Sequence, residues 1–485
     1  MIFWPQDHPI LHALSYGIPT SGFEFRPKFH KIRNSPYRSR GLCYGEPEND
    51  NVVMGTEILD QTDEFKHALA LMEAAEEHVF ITGRAGTGKS TLLRHFMAHT
   101  KRRVAVLAPT GLAAVNVGGQ TIHSFFKFPP RLLQAGDVRA LPSQQRLFEQ
   151  LDTIIIDEIS MVRADVLDAI DRSLRLNRRR AELPFGGVQI VAFGDLFQLA
   201  PVVEGELQQY FSDAFDTPYF FSASVLSQCD WRLLELKRNY RQSKDPSFFE
   251  LLSRLGRNEM TIEDMDCLNN RLLADTSEEE GAFVTLTSTN AAADRINAQH
   301  LAGLPGETIH YAAKIKGEFD EGSSPAQTEL SVKAGAQVMM LRNDPDGRWV
   351  NGDVAVVEDC SALHLRVRLR DDVHDVLPVK WERIRYAWTP EDNQMVRNVA
   401  GTFQQFPVKL AWAITIHKSQ GQTLNRVRVD LGRGAFAHGQ VYVALSRCQS
   451  LDGLRLHRPL RATDILFDDR VLNFLGRARN GRVES

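Results

Sequence analysis

Five cysteines, at positions 43, 229, 267, 360 and 448, stand far apart in a chain of 485 residues and form no C-x-x-C pair. Zinc ribbons, iron–sulfur clusters and a disulfide framework therefore have no donor pattern to rest on, and a reducing, cytoplasmic setting is the natural reading. No apolar run approaches the ~20 residues needed to cross a bilayer, so no membrane partner is expected. The opening MIFWPQDHPILHALSYG has no basic stretch ahead of an apolar one and no small-residue cleavage site, so it does not read as a signal peptide. Internal repeats and low-complexity tracts are also missing. Neither charge sign dominates: the net charge is −4, so a polyanionic partner would have to meet a positive groove rather than a positive surface.

What is present begins with His78-Val79-Phe80-Ile81-Thr82, an apolar strand-like run, followed by Gly83-Arg84-Ala85-Gly86-Thr87-Gly88-Lys89-Ser90 and a helix-like stretch from Thr91 to Thr100. Strand, glycine-rich loop and helix in that order make a phosphate cradle. Gly83, Gly86 and Gly88 let backbone N–H groups turn toward an anion, Thr87 and Thr91 flank the turn, and the helix start adds partial positive charge. Lys89 can reach the β- and γ-phosphates, and the Ser90 hydroxyl can ligate Mg²⁺. The segment predicts a bound nucleoside triphosphate.

Residues 1–54 differ from the rest, being rich in proline, aromatic and basic side chains (FEFRPKFHKIRNSPYRSR) without sustained periodicity. They read as a nucleic-acid-binding arm, as a disordered extension, or as residues ahead of a true start at Met54, after which a helix-like stretch (Glu57 to Glu76) begins. Residues 55–232 alternate apolar strand runs (VFITG, RVAVLAP, TIIID, VQIVAFGD) with helical stretches, predicting a parallel α/β unit. Residues 233–302 begin a second such unit, which 401–485 complete. Between them, 303–400 carry short β-rich runs separated by Gly, Asn and Asp turns, predicting a small inserted barrel. The basic run Arg178-Arg179-Arg180 reads as a solvated loop.

The run Leu151–Ile156 ends in Asp157 and Glu158. Alone it would be a strand running into a solvated acidic turn. After a phosphate loop, Asp157 is placed to hold Mg²⁺ through water and Glu158 to orient and deprotonate an attacking water. Gln198, in VAFGDLFQL, can hydrogen-bond a γ-phosphate or simply close a buried Asp-Gln turn. Arg241 (in RNYRQ) and Arg447 (in VYVALSR) carry guanidinium forks suited to the charge that phosphoryl transfer accumulates, and Tyr240 can stack on a base.

These segments occur in an order that resembles superfamily 1 DNA helicases of the petite-integration-frequency (PIF) family, close to RecD-type enzymes. GRAGTGKST is followed by APTGLAAVNVGGQTIHSFF, IIIDEIS, PFGGVQIVAFGDLFQLAPV and NYRQ. Then come TLTSTNAAADRIN, VNGD, AITIHKSQGQTL and QVYVALSRC, so that the resemblance spans about residues 57–460. It implies two RecA-like P-loop NTPase domains with ATP between them, single-stranded DNA across their tops, and an SH3-like barrel at 303–400 that leans over the DNA. It implies an ATPase site of Lys89, Ser90, Asp157, Glu158, Gln198, Arg241 and Arg447, with Gln61 reading adenine. Thr110, His123, Asn290, His417 and Lys418 fall in motifs that face DNA. Lys127–Gln150 takes the place of a strand-separating pin, with Phe126, Phe128, Pro129 and Pro130 as a candidate wedge and small core packing as the alternative. The implied activity is ATP- and Mg²⁺-dependent unwinding by a monomeric motor moving 5′ to 3′, on single-stranded and tailed duplex DNA, in replication, repair or recombination. An RNA-directed helicase and a DNA-stimulated ATPase switch are the rival expectations.

Overall fold

The computed structural model describes residues 62–201, 203, 211, 214–240, 245–272, 283–319, 324–389, 391–477 and 482–483. The arm at 1–54 with Met54, and the expected Gln61 and Arg241, lie outside the described residues.

The apolar runs of the first unit form parallel strands β1 (His78–Gly83), β2 (Val104–Ala108), β3 (Gln120–Thr121), β4 (Thr153–Ile156), β5 (Gln189–Gly194) and β6 (Trp231–Leu236). Continuous rather than alternating hydrophobicity is required because both faces of such a sheet are covered. Phe80 points to one core, with Ile154, Ile190 and Ala192. Its neighbours Val79 and Ile81 point to another, with Ile155, Val191, Leu92 and Phe96. The helix Asp63–Ala74 enters through Thr62, whose hydroxyl accepts from the Phe65 amide, and supplies Phe65, Ala68 and Met72 to that second core.

The second unit uses β7 (Val284–Thr287), β18 (Ala413–Thr415), β19 (Val427–Asp430) and β20 (Leu454–Leu456), all parallel, in the order β18-β7-β19-β20. Between β7 and β18 run antiparallel strands: β8 (Ile309–Ala312), β9 (Lys314–Gly317), β10 (Glu329–Val332), β11 (Gln337–Met340), β12 (Val354–Cys360), β13 (Leu365–Leu369), β14 (Asp372–Val376), β15 (Val379–Thr389), β16 (Gln394–Gln405) and β17 (Val408–Leu410). The five strands β14-β13-β12-β11-β17 and the β8–β10 pair close over one core that includes Tyr311, Leu330, Val338, Val357 and Val367. Strict alternation on β13, with Leu365, Val367 and Leu369 inward, sets its register.

Four features depart from the sequence reading. The long β15–β16 hairpin docks on the first unit: Tyr386 is 1% exposed, its hydroxyl accepts the Val106 amide at 3.1 Å, and its ring meets Phe125. The chain end also returns there. The helix Asp469–Arg477 stacks Phe474 on Phe221 at 4.4 Å, and β21 (Arg482–Val483) pairs antiparallel with β6, so 401–485 are not all in the second unit. An apolar helix face needs a partner, but its periodicity does not say which core supplies it.

The other two departures concern side chains. Phe126 and Phe128 are buried, stacked on each other at 5.3 Å, and Phe126 stacks on Phe148, so these rings are core packing and not a wedge. Pro129 is half-buried and Pro130 exposed. Arg178 is not solvated: it lies 9% exposed and donates to the carbonyls of Gly186 (2.7 Å), Leu151 (2.9 Å) and Phe148. Those carbonyls sit where the chain leaves regular structure, and a guanidinium fork satisfies several at once.

Candidate nucleotide and nucleic-acid sites

The phosphate loop leaves β1 and enters the helix Lys89–His99, with Gly86 and Gly88 at φ 86° and 89°. Side chains other than glycine rarely tolerate that left-handed backbone, which turns the loop so that the helix starts at Lys89. The Lys89 ammonium donates to the carbonyls of Gly83 (2.5 Å) and Arg84 (3.1 Å). Thr87 is buried and its hydroxyl donates to the Arg84 carbonyl at 2.9 Å, bracing the loop, while Ser90 is exposed and Thr91 half-buried at the helix start. The segment at 239–240 lies along the loop: Asn239 donates to the Ala85 carbonyl at 2.7 Å and the Tyr240 amide to that of Gly86 at 2.9 Å. The Tyr240 ring is 45% exposed, beside Gly88, with the Arg238 guanidinium 5.0 Å from its centroid.

Asp157 and Glu158 follow β4, neighbour of the strand after the phosphate loop in space. Both are half-buried. Burial raises both carboxyls above the usual carboxylate range. For Glu158 the neighbouring Asp157 adds to the rise, while Lys89 and Arg447 oppose it. Glu158 also takes a left-handed backbone, φ 53° and ψ 45°, which costs about 1 kcal/mol in a non-glycine residue.

Arg447 approaches from the second unit. It caps the helix Gln440–Ser446 and is 1% exposed, with Nε donating to the Val443 carbonyl (3.0 Å) and Nη2 to the Ser446 hydroxyl (2.9 Å). Burial lowers its pKa, and Glu158 and Asp195 offset part of that through their charge. Gln198 bridges the units. Its amide nitrogen donates to Asp195 at 3.1 Å, and its carbonyl oxygen accepts from Gln420 at 3.0 Å.

The residues expected on DNA all follow parallel strands at their carboxyl ends, where ligands meet open α/β sheets. Thr110, exposed just after β2, caps the helix Gly111–Asn116 by accepting from the Ala113 amide. His123 follows β3, half-buried, its pKa lowered by burial and by the charge of Arg163. Asn290 is exposed at the start of the helix Asn290–Gly303 after β7, and His417 and Lys418 follow β18, which pairs with β7. Burial lowers the pKa of His417, while Lys418 is exposed.

Four polar side chains at this seam escaped the sequence reading. Asp195 is 1% exposed and Tyr442 4% exposed, Gln420 meets Gln198, and Arg84 packs its guanidinium 5.4 Å from the Phe249 ring centroid on the second unit. All but Phe249 lie within the motifs already quoted, yet nothing in their spacing discloses partners some two hundred positions away.

The chain is similar to known helicases. Residues 59–264 match the family described as PIF1-like helicase. The ATP-dependent DNA helicase Pif1 of Bdellovibrio bacteriovorus is 33% identical over 434 residues, which cover 87% of this chain and 93% of the relative. The mouse ATP-dependent DNA helicase PIF1 is 35% identical over 86% of this chain, which spans 62% of that longer relative. Among solved structures, Bacteroides sp Pif1 in complex with ADP-AlF4 superposes with a TM-score of 0.81 at 34% identity, covering 86% of this chain and 97% of its own. Bacteroides Pif1 bound to single-stranded DNA gives 0.63 at 34% identity, covering 88% and 99%. With two parallel-sheet units facing each other across a phosphate loop, and near full-length similarity at this identity, the chain belongs to the PIF1-like helicase family.

Proposed function

We propose that this chain is an ATP-dependent DNA helicase that moves 5′ to 3′ on single-stranded DNA and unwinds tailed duplexes, serving replication, repair or recombination. The observation that carries the reading is the seam: the phosphate loop, the carboxylate pair and Gln198 lie on one unit, and from the other Arg447 acts on Glu158 through its charge while Gln420 bonds Gln198. A nucleotide bound there touches both units, so binding draws them together and hydrolysis releases them. DNA grips on the two sets of strand ends would then alternate. Relatives of this chain are named ATP-dependent DNA helicases and have been solved with ADP-AlF4 and with single-stranded DNA.

In this reading Lys89 neutralises the β- and γ-phosphates, and Glu158 takes the proton of the attacking water. Arg447 and Arg241 stabilise the charge that builds on the transferred group. Gln198 senses the γ-phosphate, Tyr240 stacks on the base, and Gln61 reads its edge. The donors for magnesium fit. Among the described residues no cluster of three His, Cys, Asp or Glu side chains could hold a metal. The exposed Ser90 hydroxyl and the half-buried Asp157 carboxylate are the sparse set that Mg²⁺ accepts when nucleotide oxygens and water complete its shell. When bound, the ion offsets phosphate charge. Thr110, His123, Asn290, His417 and Lys418 hold the DNA backbone without reading bases.

Among the described residues no helix is long and apolar enough to cross a membrane. Cys229, Cys267, Cys360 and Cys448 are free thiols, which fits a reducing, cytoplasmic compartment.

Strand displacement with ATP and Mg²⁺ on duplexes carrying a 5′ or a 3′ tail tests the proposal. Unwinding from the 5′ tail alone is expected. Unwinding from the 3′ tail alone overturns the polarity, and DNA-stimulated hydrolysis with no unwinding overturns the helicase.

A further inference from the structure

Tyr442 sits in the middle of the helix Gln440–Ser446, 4% exposed, and its hydroxyl reaches the other unit. It donates to Asp195 Oδ2 at 3.2 Å. Its ring packs edge-on against Phe197, with centroids 6.2 Å apart. Asp195 is itself fixed. It is 1% exposed, its Oδ1 accepts the Phe197 amide at 3.1 Å, and its Oδ2 also accepts from Gln198.

The start of the same helix is fitted as closely. His438 accepts the Asp468 amide on Nδ1 at 3.0 Å, which leaves the proton on Nε2 to donate to the Leu196 carbonyl at 3.1 Å. Gly439, at φ 71°, leaves no room for a side chain against the carbonyls of Phe197 and Gln198. Five residues beyond Tyr442, about 7.5 Å along the helix, stands Arg447.

We propose that Tyr442 is a positioning residue for ATP hydrolysis: its hydroxyl ties the turn that holds Asp195 and Gln198 to the helix that ends in Arg447. Movement of that turn and placement of the arginine then become one motion. A phenol suits the position because its hydroxyl donates to a carboxylate while its ring fills the seam, and phenylalanine would supply only the ring. The inference rests on reading Arg447 and Glu158 as hydrolytic residues.

The test uses the full chain and steady-state ATP turnover with saturating single-stranded DNA. A hydrogen bond to a charged group, when lost, corresponds to about a tenfold change. Tyr442→Phe should therefore lower kcat about tenfold, change KM for ATP less than about twofold, and keep the wild-type melting temperature within about 3 °C. On an Arg447→Ala background the same substitution should cause no further loss, because the hydroxyl acts through the arginine. A kcat within about twofold of wild type, or a loss that adds fully to that of Arg447→Ala, overturns the proposal. Should Tyr442→Phe fail to fold, Asp195→Asn removes the acceptor charge at constant size and is expected to show the same kcat-selective loss; normal kcat there overturns it equally. Near-normal turnover in Arg447→Ala itself would instead remove the parent reading, whereas a silent Tyr442→Phe beside an inactive Arg447→Ala removes only this one.

Discussion

Gln420 donates its amide to the side-chain carbonyl of Gln198 at 3.0 Å, across the seam between the two parallel-sheet units. The residue proposed to sense the γ-phosphate thus touches the segment whose neighbours, His417 and Lys418, are proposed to hold DNA. Coupling between two ligands needs an element in contact with both, and this pair supplies one. Gln420→Ala should lower DNA-stimulated ATP turnover about fivefold more than DNA-free turnover, the low end of usual coupling energies. Equal effects with and without DNA would remove the pair from the coupling route.

Lys89→Ala should reduce ATP turnover at least about a hundredfold while the far-UV circular dichroism stays native, because the lysine ammonium faces the loop and not a core. Glu158→Gln should still bind ATP but hydrolyse it about a hundredfold more slowly, as loss of a general base requires. Fluorescent-nucleotide titration beside a phosphate-release assay separates binding from chemistry. Normal turnover in either variant excludes that residue from its role.

Arg178→Ala should destabilise the first unit by about 2 kcal/mol, since it strands the Gly186 and Leu151 carbonyls that the guanidinium now satisfies, while the Phe148 carbonyl keeps the Leu151 amide. Lysine at the same position should restore little, having no planar fork. Urea unfolding measures both, and a loss below about 0.5 kcal/mol, typical of a surface site, would contradict the buried role.

Phe126→Ala should cost about 3–5 kcal/mol of stability, as truncation of a core ring does. Under conditions where the variant remains folded, base pairs opened per ATP should match wild type. A folded, stable variant that has lost strand separation alone would restore the wedge reading.

The His78 imidazole is pushed down to about 4 by burial, with its Nδ1 accepting the Ile190 amide at 3.0 Å. In the unfolded chain it titrates near 6.5, so below that pH the unfolded state binds the extra proton. Stability contributed by neutral His78 is complete above about 6.5 and is lost as pH falls toward 4, by about 3 kcal/mol in all. Urea midpoints across that window should show the slope, and His78→Asn should flatten it. An unchanged slope in the variant would assign the acid sensitivity elsewhere.

The sequence by itself determined the features that short stretches of backbone decide. A strand, a glycine-rich turn with left-handed φ at Gly86 and Gly88, and a helix beginning at Lys89 are specified within about a dozen residues. Unbroken apolar runs marked parallel strands buried on both faces, and alternation marked the inserted antiparallel ones. The order of the motifs carried the family and supplied the candidates for the site. What only the tertiary structure decided were the partners of side chains far apart along the chain. Tyr442 meets Asp195 across 247 positions, Tyr386 reaches Val106 across 280, and Arg178 turns inward to the ends of neighbouring segments. A buried polar group must find a partner, and an apolar face must find a core, but periodicity specifies the need without naming the partner. For that reason the stretch at 127–150 read as a pin and the chain end as part of the second unit, and only packing assigned Phe128, Leu147, Phe148, Val471 and Phe474 to the first unit's core.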